Sequence, residues 1–353
     1  MIRPARYSDF EAIKRIFDVA FDEEYRQRGI DIVKRIARWQ QIYPLIRILA
    51  LFPNPYQHTF NVHLFDEEGT IKGLIQTSAR NRERTTWHIE NVAVLPEFRG
   101  QGIAAQLLDF VFEHYSRVGV LRFTLEVDTK NNAAIRLYEK TGFRRFTTVS
   151  YFRLASSHRT GALGKDAVPA PEGMRPHKAS DAKGLFELYQ ACTPAPVRIV
   201  DERKLSDFKD HAIEEVSSYV KEQLKYSREH HWVVERHGQI VATLELVAQF
   251  RKLPHVLRLM VHPGYQELHG QLLRFALDQL RQYPARQVLS ASLEHQPGKA
   301  EELKALGFKL ITSDHLMVRD NLQVITLAQV EPGAIKREDP AFKPLFPILA
   351  DRE

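Results

Sequence analysis

Cysteine is almost missing from this chain: Cys192 is the single one in 353 residues. An intramolecular disulfide and a cysteine zinc cluster are thereby excluded, and a reducing cytoplasm is the expected compartment. Long apolar runs are missing too. The most apolar stretch, Tyr43 to Phe52, is too short to span a bilayer and contains Arg47. The opening segment, MIRPARYSDFEAIKRIF, carries acid and base throughout and lacks the apolar core of a secretory signal. Neither sign of charge dominates, the formal net charge being +6. Dense clusters of Lys, Arg and aromatics, as in a nucleic-acid reader, do not occur, and no spacing of carboxylates and histidines marks a metal site. These absences point to a cytoplasmic protein with no membrane or nucleic-acid partner and a mild preference for anionic ligands. Oligomeric state is not readable.

What is present is ordinary globular composition, 44% hydrophobic and 27% charged. The length exceeds what one core usually organises, so two domains are expected. A first helix should start at Ser8 or Asp9, good N-cap residues, with Ile13, Ile16, Phe17 and Ala20 at helical spacing. A second should follow, with Ile30, Val33, Ile36 and Ala37 on one face and Lys34, Arg35 and Arg38 on the other. This is a surface helix or a wall of an acceptor site. Thr59–Phe65 and Ile71–Thr77 read as a hairpin around Asp66-Glu67-Glu68-Gly69. Strands at Trp87–Val94, Leu121–Val127 and Phe146–Leu154 alternate with helices at Ala104–Tyr115 and Asn131–Lys140.

The second half repeats the first in order. Arg3-Pro4 and Ser8-Asp9 answer to Arg175-Pro176 and Ser180-Asp181. The hairpin acids and Gly69 answer to Glu235-Arg236-His237-Gly238. Val94-Leu95-Pro96 answers to Val261-His262-Pro263, Leu107-Leu108 to Leu272-Leu273, and Gly142-Phe143 to Gly307-Phe308. A duplicated fold explains five short matches in one order better than chance does. The expected layout is a first domain over 1–155, a linker over 156–173, a second domain over 174–320 and a tail over 321–353.

The chemistry lies between Glu90 and Ala104, where a strand runs through a turn into a helix. The first amides of a helix lack internal partners, and with the helix dipole they form a phosphate site. Gly100 and Gly102 let a phosphate approach the backbone, and Arg99 adds positive charge. The same residues, with Ala105, also fit the dinucleotide fingerprint G-x-G-x-x-A, followed by Glu126 on the next strand. A nucleotide-dependent oxidoreductase is therefore a competing reading at this point.

A second element, Asn131-Asn132-Ala133-Ala134-Ile135-Arg136-Leu137-Tyr138-Glu139-Lys140-Thr141-Gly142-Phe143, separates the two. Together the segments resemble the GNAT superfamily of acetyl-CoA-dependent N-acetyltransferases. Arg99, Gly102 and Ala104 match its R/Q-x-x-G-x-G/A signature. Asn131, Ala134, Leu137, Tyr138, Lys140, Gly142 and Phe143 match the companion motif. The resemblance covers residues 1–154 well and 172–320 in outline. It implies an α/β architecture of two tandem GNAT-like domains, each a mixed, mostly antiparallel sheet with helices on both faces.

It also implies acetyl-CoA as cosubstrate and an amine acceptor, reacting in a ternary complex. The loop Arg99, Gly100, Gln101, Gly102, Ile103 and Ala104 would hold the pyrophosphate. Backbone groups of the Val92-Ala93-Val94 strand would pair with the pantetheine arm, and Asn131 would contact the cofactor. Tyr138 would protonate the departing thiolate. Glu90 is the candidate base, placed by period-2 alternation on the same strand face as Val92 and Val94; a structural acid paired with a nearby arginine is the alternative. His88 and Glu126 are weaker candidates. A non-catalytic acyl-CoA sensor would keep the loop and tolerate loss of Tyr138.

The second half should lack this site. Between the landmarks Val94–Leu107 and Val261–Leu272 it is two residues shorter, and its loop reads Gly264-Tyr265-Gln266-Glu267-Leu268-His269-Gly270. Glu267 would oppose a phosphate, and Leu303 stands where Tyr138 stands in the first half. The identity of the amine is not encoded readably.

Overall fold

The computed structural model describes residues 1–28, 61–80, 84–158, 166–209 and 226–321. The expected helix around 30–40, the apolar run 43–52 and the tail beyond Asn321 lie outside the described residues. The chain divides into two compact units. One comprises Met1–Arg145 with Leu316–Glu353, the other Phe146–His315.

In the first unit the strands run β1 (Ile2–Pro4), β2 (Asn61–Glu67), β3 (Thr70–Ala79), β4 (Thr86–Val94) and β5 (Arg122–Asp128), in that spatial order, followed by the end of β12 (Lys309–Asp320). Neighbours β1 to β4 pair antiparallel, and β4 pairs parallel to β5. Among these four pairings the parallel one is β4 with β5, whose strands a helical crossover joins. A doubly wound dinucleotide sheet is therefore not what the glycines of the loop belong to.

Helix α1 (Phe10–Arg28) covers one face, burying Ile13, Ile16 and Phe17 against Val62, Leu64, Leu74 and Ala93. Helices α2 (Ile103–Ser116) and α3 (Asn132–Lys140) share a second core with Ile75, Trp87, Ile89, Phe123 and Leu125. The spacing of Leu107, Leu108, Val111 and Phe112 gives α2 its buried stripe.

The second unit follows the same plan. β7 (Met174–Pro176), β8 (Ser227–Arg236), β9 (Gln239–Gln249) and β10 (His255–Val261) pair antiparallel in sequence order, and β10 runs parallel to β11 (Val288–Leu293). Helices α4 (Ala182–Cys192), α5 (Ala195–Val200), α6 (Leu268–Gln279) and α7 (Pro297–Ala305) correspond to the remaining layers. The sixth strand is β6 (Arg144–Leu154), antiparallel to β11 with Val149 opposite Leu293 and Leu154 opposite Val288.

The units are thus not contiguous blocks of sequence. The strand that closes the first half of the chain completes the second unit, and β12 supplies Leu316–Asp320 to the first. The returning segment is anchored chemically. Met317 enters the α2 core. The Arg319 guanidinium lies 3.9 Å over the Phe112 ring and donates to the Thr141 carbonyl at 3.0 Å. Asp320 accepts from Arg122 at 3.0 Å and Arg144 at 2.9 Å, and the Asn321 amide donates to the carbonyls of Phe112 and Val120.

The sequence repeat has a physical meaning in each unit. Arg3 donates to Asp9 at 2.7 and 3.0 Å and to Asp66 at 2.8 Å. Arg175 donates to Asp181 at 2.8 Å through both terminal nitrogens and to Glu235. Each arginine fork ties the entry of a helix to a hairpin acid, and each aspartate also accepts a backbone N–H three residues upstream, from Arg6 and Lys178. Such bidentate, partly desolvated forks fix geometry better than a point charge.

Candidate active site

After β4 a short 3₁₀ turn, Pro96–Phe98, leads into Arg99-Gly100-Gln101-Gly102 and then α2. Gly100 and Gly102 sit at φ of +79° and +77°, in the left-handed region where a side chain is disfavoured. A Cβ on Gly100 would meet nothing within 4 Å, and one on Gly102 only the Gln106 side chain at 3.9 Å. Protein packing therefore does not require glycine here; backbone conformation and open approach do. Gly102 is the N-cap of α2, with no side-chain cap and no acid in the first turn. The first-turn N–H groups and the helix dipole face this open space, which suits a phosphate. Ile103 turns its side chain into the core while Gly100, Gln101 and Gly102 are exposed. Gly73 brings β3 close to this end, where a Cβ would meet the Ala93 carbonyl at 2.8 Å and Ile103 at 3.3 Å. Arg99 folds back onto the strand, its Nε donating to the Val94 carbonyl at 3.2 Å.

β4 pairs with β5 only from Thr86 opposite Arg122 to Ile89 opposite Leu125. Beyond Ile89 the two strands part. A β-bulge explains the divergence: Gln76 pairs with Asn91 but Thr77 with Ile89, leaving Glu90 as the extra residue. Bulges twist and bend the strand that carries them. The bulge also corrects the strand-face assignment of Glu90. Glu90 accepts from Ser78 Oγ at 2.5 Å, and Asn91 donates to the Gln76 side chain at 2.9 Å. Both acceptor and donor thus share the face of Ser78, Gln76 and buried Ala93, toward α1. Val92 and Val94 pack against the α2 core on the opposite face. Period-2 alternation fails at Glu90 because the bulge inserts a residue. The carboxylate is exposed, and its partner among the described residues is Ser78 rather than an arginine.

Tyr138 is buried, 8% exposed, on α3, and meets Phe143 edge-on at 5.8 Å in the core that holds Ile103 and Leu107. Acid candidate and phosphate loop therefore lie on the same face of the sheet. Asn131 caps α3, its Oδ1 accepting from the Ala134 amide at 3.1 Å. That side-chain oxygen is committed to the helix, so a contact to a cofactor would have to use the amide nitrogen. His88 is a buried strand residue bonded to Thr124 at 2.9 Å, and burial together with the Arg80 charge holds it near pKa 4. Glu126 stands half-buried on β5.

The model of the Acetyltransferase (GNAT) family matches residues 35–143 and again 183–308. The chain belongs to this family. Its two matched regions make it a tandem member. A GCN5-related N-acetyltransferase from Sphaerobacter thermophilus superposes with TM-score 0.59 at 14% identity, covering 92% of this chain and 96% of that one. A tandem GNAT protein from the clavulanic acid biosynthesis pathway superposes with TM-score 0.57 at 15% identity, covering 92% and 99%. At that identity both show the fold alone. Among sequences, the chain is 29% identical over 105 residues to a mycothiol acetyltransferase of Propionibacterium freudenreichii, 30% of this chain and 34% of that protein. It is 38% identical over 74 residues to the ribosomal protein bS18-alanine N-acetyltransferase of Salmonella typhimurium, 21% of this chain and 50% of that protein. The chain thus spans a third to a half of the length of these relatives. Among the described residues no helix is long and apolar enough to cross a membrane, and no His, Cys, Asp and Glu group could hold a metal.

The second GNAT unit lacks the loop geometry of the first. There α6 begins at Leu268 directly after Gln266 and Glu267, both in right-handed helical conformation. No left-handed glycine opens the turn. β9 and β10 pair without a register shift from Val247 opposite Val256 to Ala242 opposite Val261, so the bulge is missing as well. Leu303 fills the Tyr138 position and is fully buried.

One residue went unnoticed in the sequence. Lys299, 4% exposed on α7, donates through Nζ to the Leu259 carbonyl at 3.3 Å. Leu259 stands two residues before Val261, as Val92 stands before Val94. A lysine side chain therefore takes a strand carbonyl in the region where β10 leaves β11. Its signal was faint but readable: Lys299 lies four residues before buried Leu303, on the same helix face.

Proposed function

We propose that the first GNAT unit transfers the acetyl group of acetyl-CoA to a primary amine by direct attack in a ternary complex. The observation that carries this reading is the loop of paired left-handed glycines at an uncapped helix N-terminus, beside a strand bent away from its neighbour at a bulge. Acetyl-CoA fits these residues. The amides that open α2, with Gly100 and Gly102, suit its pyrophosphate, and the edge of β4 beyond Ile89 suits the amide-bearing pantetheine arm. When bound, it supplies the activated acetyl thioester.

The chain's own residues supply binding, orientation and proton movement. Glu90 stands on the α1 face of the strand, and Tyr138 belongs to the α2 face. An amine approaching from the α1 side would pass its proton to the Glu90 carboxylate, directly or through water. The Tyr138 hydroxyl would donate to the sulfur as its charge develops. Phenol has a pKa of about 10 and thiol of about 8.5, so full transfer runs modestly uphill. Donation still lowers the barrier when it stabilises charge in the transition state. Base and acid on opposite faces of the gap between β4 and β5 are consistent with attack and departure on opposite sides of one carbonyl.

Thermal shift tests the cofactor, and an amine panel tests the acceptor. Because one relative is named for an alanine residue, the panel includes a peptide with N-terminal alanine, a lysine peptide and small amines. Acetyl-CoA at about a hundred times its dissociation constant should stabilise the protein by about 2.7 kcal/mol, and NAD should not. Stabilisation by NAD alone, or by neither, would overturn the reading.

A further inference from the structure

The second unit contains a cavity of about 720 Å³, bounded by α4, α5 and the strands β8 to β11. Its size falls within the range of small-molecule sites, about 300–1,000 Å³. Its walls include the apolar side chains of Leu185, Val197, Leu246 and Leu257, all but Leu246 and Leu257 contributed by helices. Of its carboxylates, Asp201, Asp207 and Glu229 are exposed and Glu245 is half-buried. Asp201 is paired with Arg203 at 3.0 Å and Glu245 with Arg258 at 3.3 Å. The deeply buried ionisable groups are Lys299 and the Tyr189 phenol, with His295 half-buried. Lys299 is 4% exposed and has three N–H donors, of which the Leu259 carbonyl accepts one. It makes no ion pair within 4.0 Å among the described residues. His295 lines the same cavity, and both of its ring nitrogens are shielded from solvent without a hydrogen-bond partner among the described residues. Buried polar groups nearly always find partners, and a buried ammonium is stabilised by an anion.

We propose that this cavity in the second unit binds a small molecule bearing a carboxylate on an apolar body, with Lys299 and His295 holding the carboxylate. The site is separate from the acetyl-transfer reading and does not depend on it. A chain that has lost one phosphate loop keeps a ligand pocket in the same unit, walled by apolar side chains and floored by bases.

The test is calorimetry on the full chain, saturated with acetyl-CoA, using 4-phenylbutyrate, 4-phenyl-1-butanol and 4-phenylbutylamine as matched probes. The carboxylate should bind at least tenfold more tightly than the alcohol or the amine. Lys299→Met keeps most of the side chain's length and removes the charge, and it should weaken 4-phenylbutyrate at least tenfold while leaving acetyl-CoA binding in place. His295→Phe should weaken it too, and serves if the lysine variant does not fold. Equal binding of the three probes, no binding of the carboxylate, displacement of it by acetyl-CoA, or unchanged affinity in a folded Lys299→Met variant would each overturn the proposal.

Discussion

The two GNAT units keep the same fold-making residues and differ where a ligand would touch backbone. Both retain the arginine fork, Arg3 on Asp9 and Asp66, Arg175 on Asp181 and Glu235. Both end the helix after their parallel strand alike: the amide of Phe143 bonds to the Tyr138 carbonyl and that of Phe308 to the Leu303 carbonyl. What the second unit lacks is the pair of left-handed glycines, the bulge at the Glu90 position and the tyrosine. The glycines contribute little to packing in the first unit, since a Cβ on Gly100 would touch nothing, whereas Tyr138 also belongs to its core. Residues that fold a domain and residues that give it chemistry are separable, and a duplicated chain can keep one set in both copies and the other in one.

Substitutions can break that contrast, the largest effect expected at the loop. Gly102→Val demands positive φ of a β-branched residue and places methyl groups in the open approach. Acetyl-CoA binding to the full chain should fall below detection, at least a hundredfold, with the circular dichroism spectrum retained. Replacing Glu267, the helix-entry residue of the second unit, by Ala should change affinity less than twofold. Residual tight binding in folded Gly102→Val would place a working loop elsewhere.

Next in size is the acid. Tyr138→Phe should lower turnover by about 10² to 10⁴ with little change in acetyl-CoA affinity. A non-catalytic sensor would bind acetyl-CoA and show no turnover to lose. Glu90→Gln should lower turnover by about 10². Unchanged turnover would return Glu90 to a structural bond with Ser78.

The smallest effect is on stability and again belongs to the first unit. His63 is buried on β2 beside Phe110, His114 and Tyr115, and burial with the nearby His114 lowers its pKa to about 3. The unfolded side chain has the ordinary value of 6.5. Between these values the unfolded chain binds a proton that the folded one refuses, so stability falls as pH falls. The loss is about 1.4 kcal/mol per unit, or about 2 kcal/mol at pH 5. His63→Phe should remove that part of the slope in denaturant melts between pH 7 and 5, and an identical slope would show that other groups carry it.

Much of this was legible in the sequence. Strands and helices of the first half follow from alternation and from the stripe Leu107, Leu108, Val111 and Phe112. The loop followed from Gly100 and Gly102, whose requirement is local. Three features were not legible because they are not local. The bulge depends on how β4 registers with β3, and it turned Glu90 away from the face that simple alternation assigns. The exchange of last strands depends on which sheet β6 and β12 complete, and alternation along a strand does not say which. The capping bond of Asn131 competes with a ligand for an oxygen that the motif alone leaves available. Lys299 shows the reverse limit: its burial opposes composition, because lysine is seldom interior without a partner.

One unit should have a CoA site and the other should not, so the deciding measurement is the number of sites on the intact chain. The exchange of strands makes halves cut near residue 155 unsuitable, since the second unit needs Phe146–Leu154 and the first needs Leu316–Asp320. Isothermal titration of the full chain with acetyl-CoA should give one site per chain, abolished by Gly102→Val. Two sites, or one site that survives Gly102→Val in the folded protein, would contradict it.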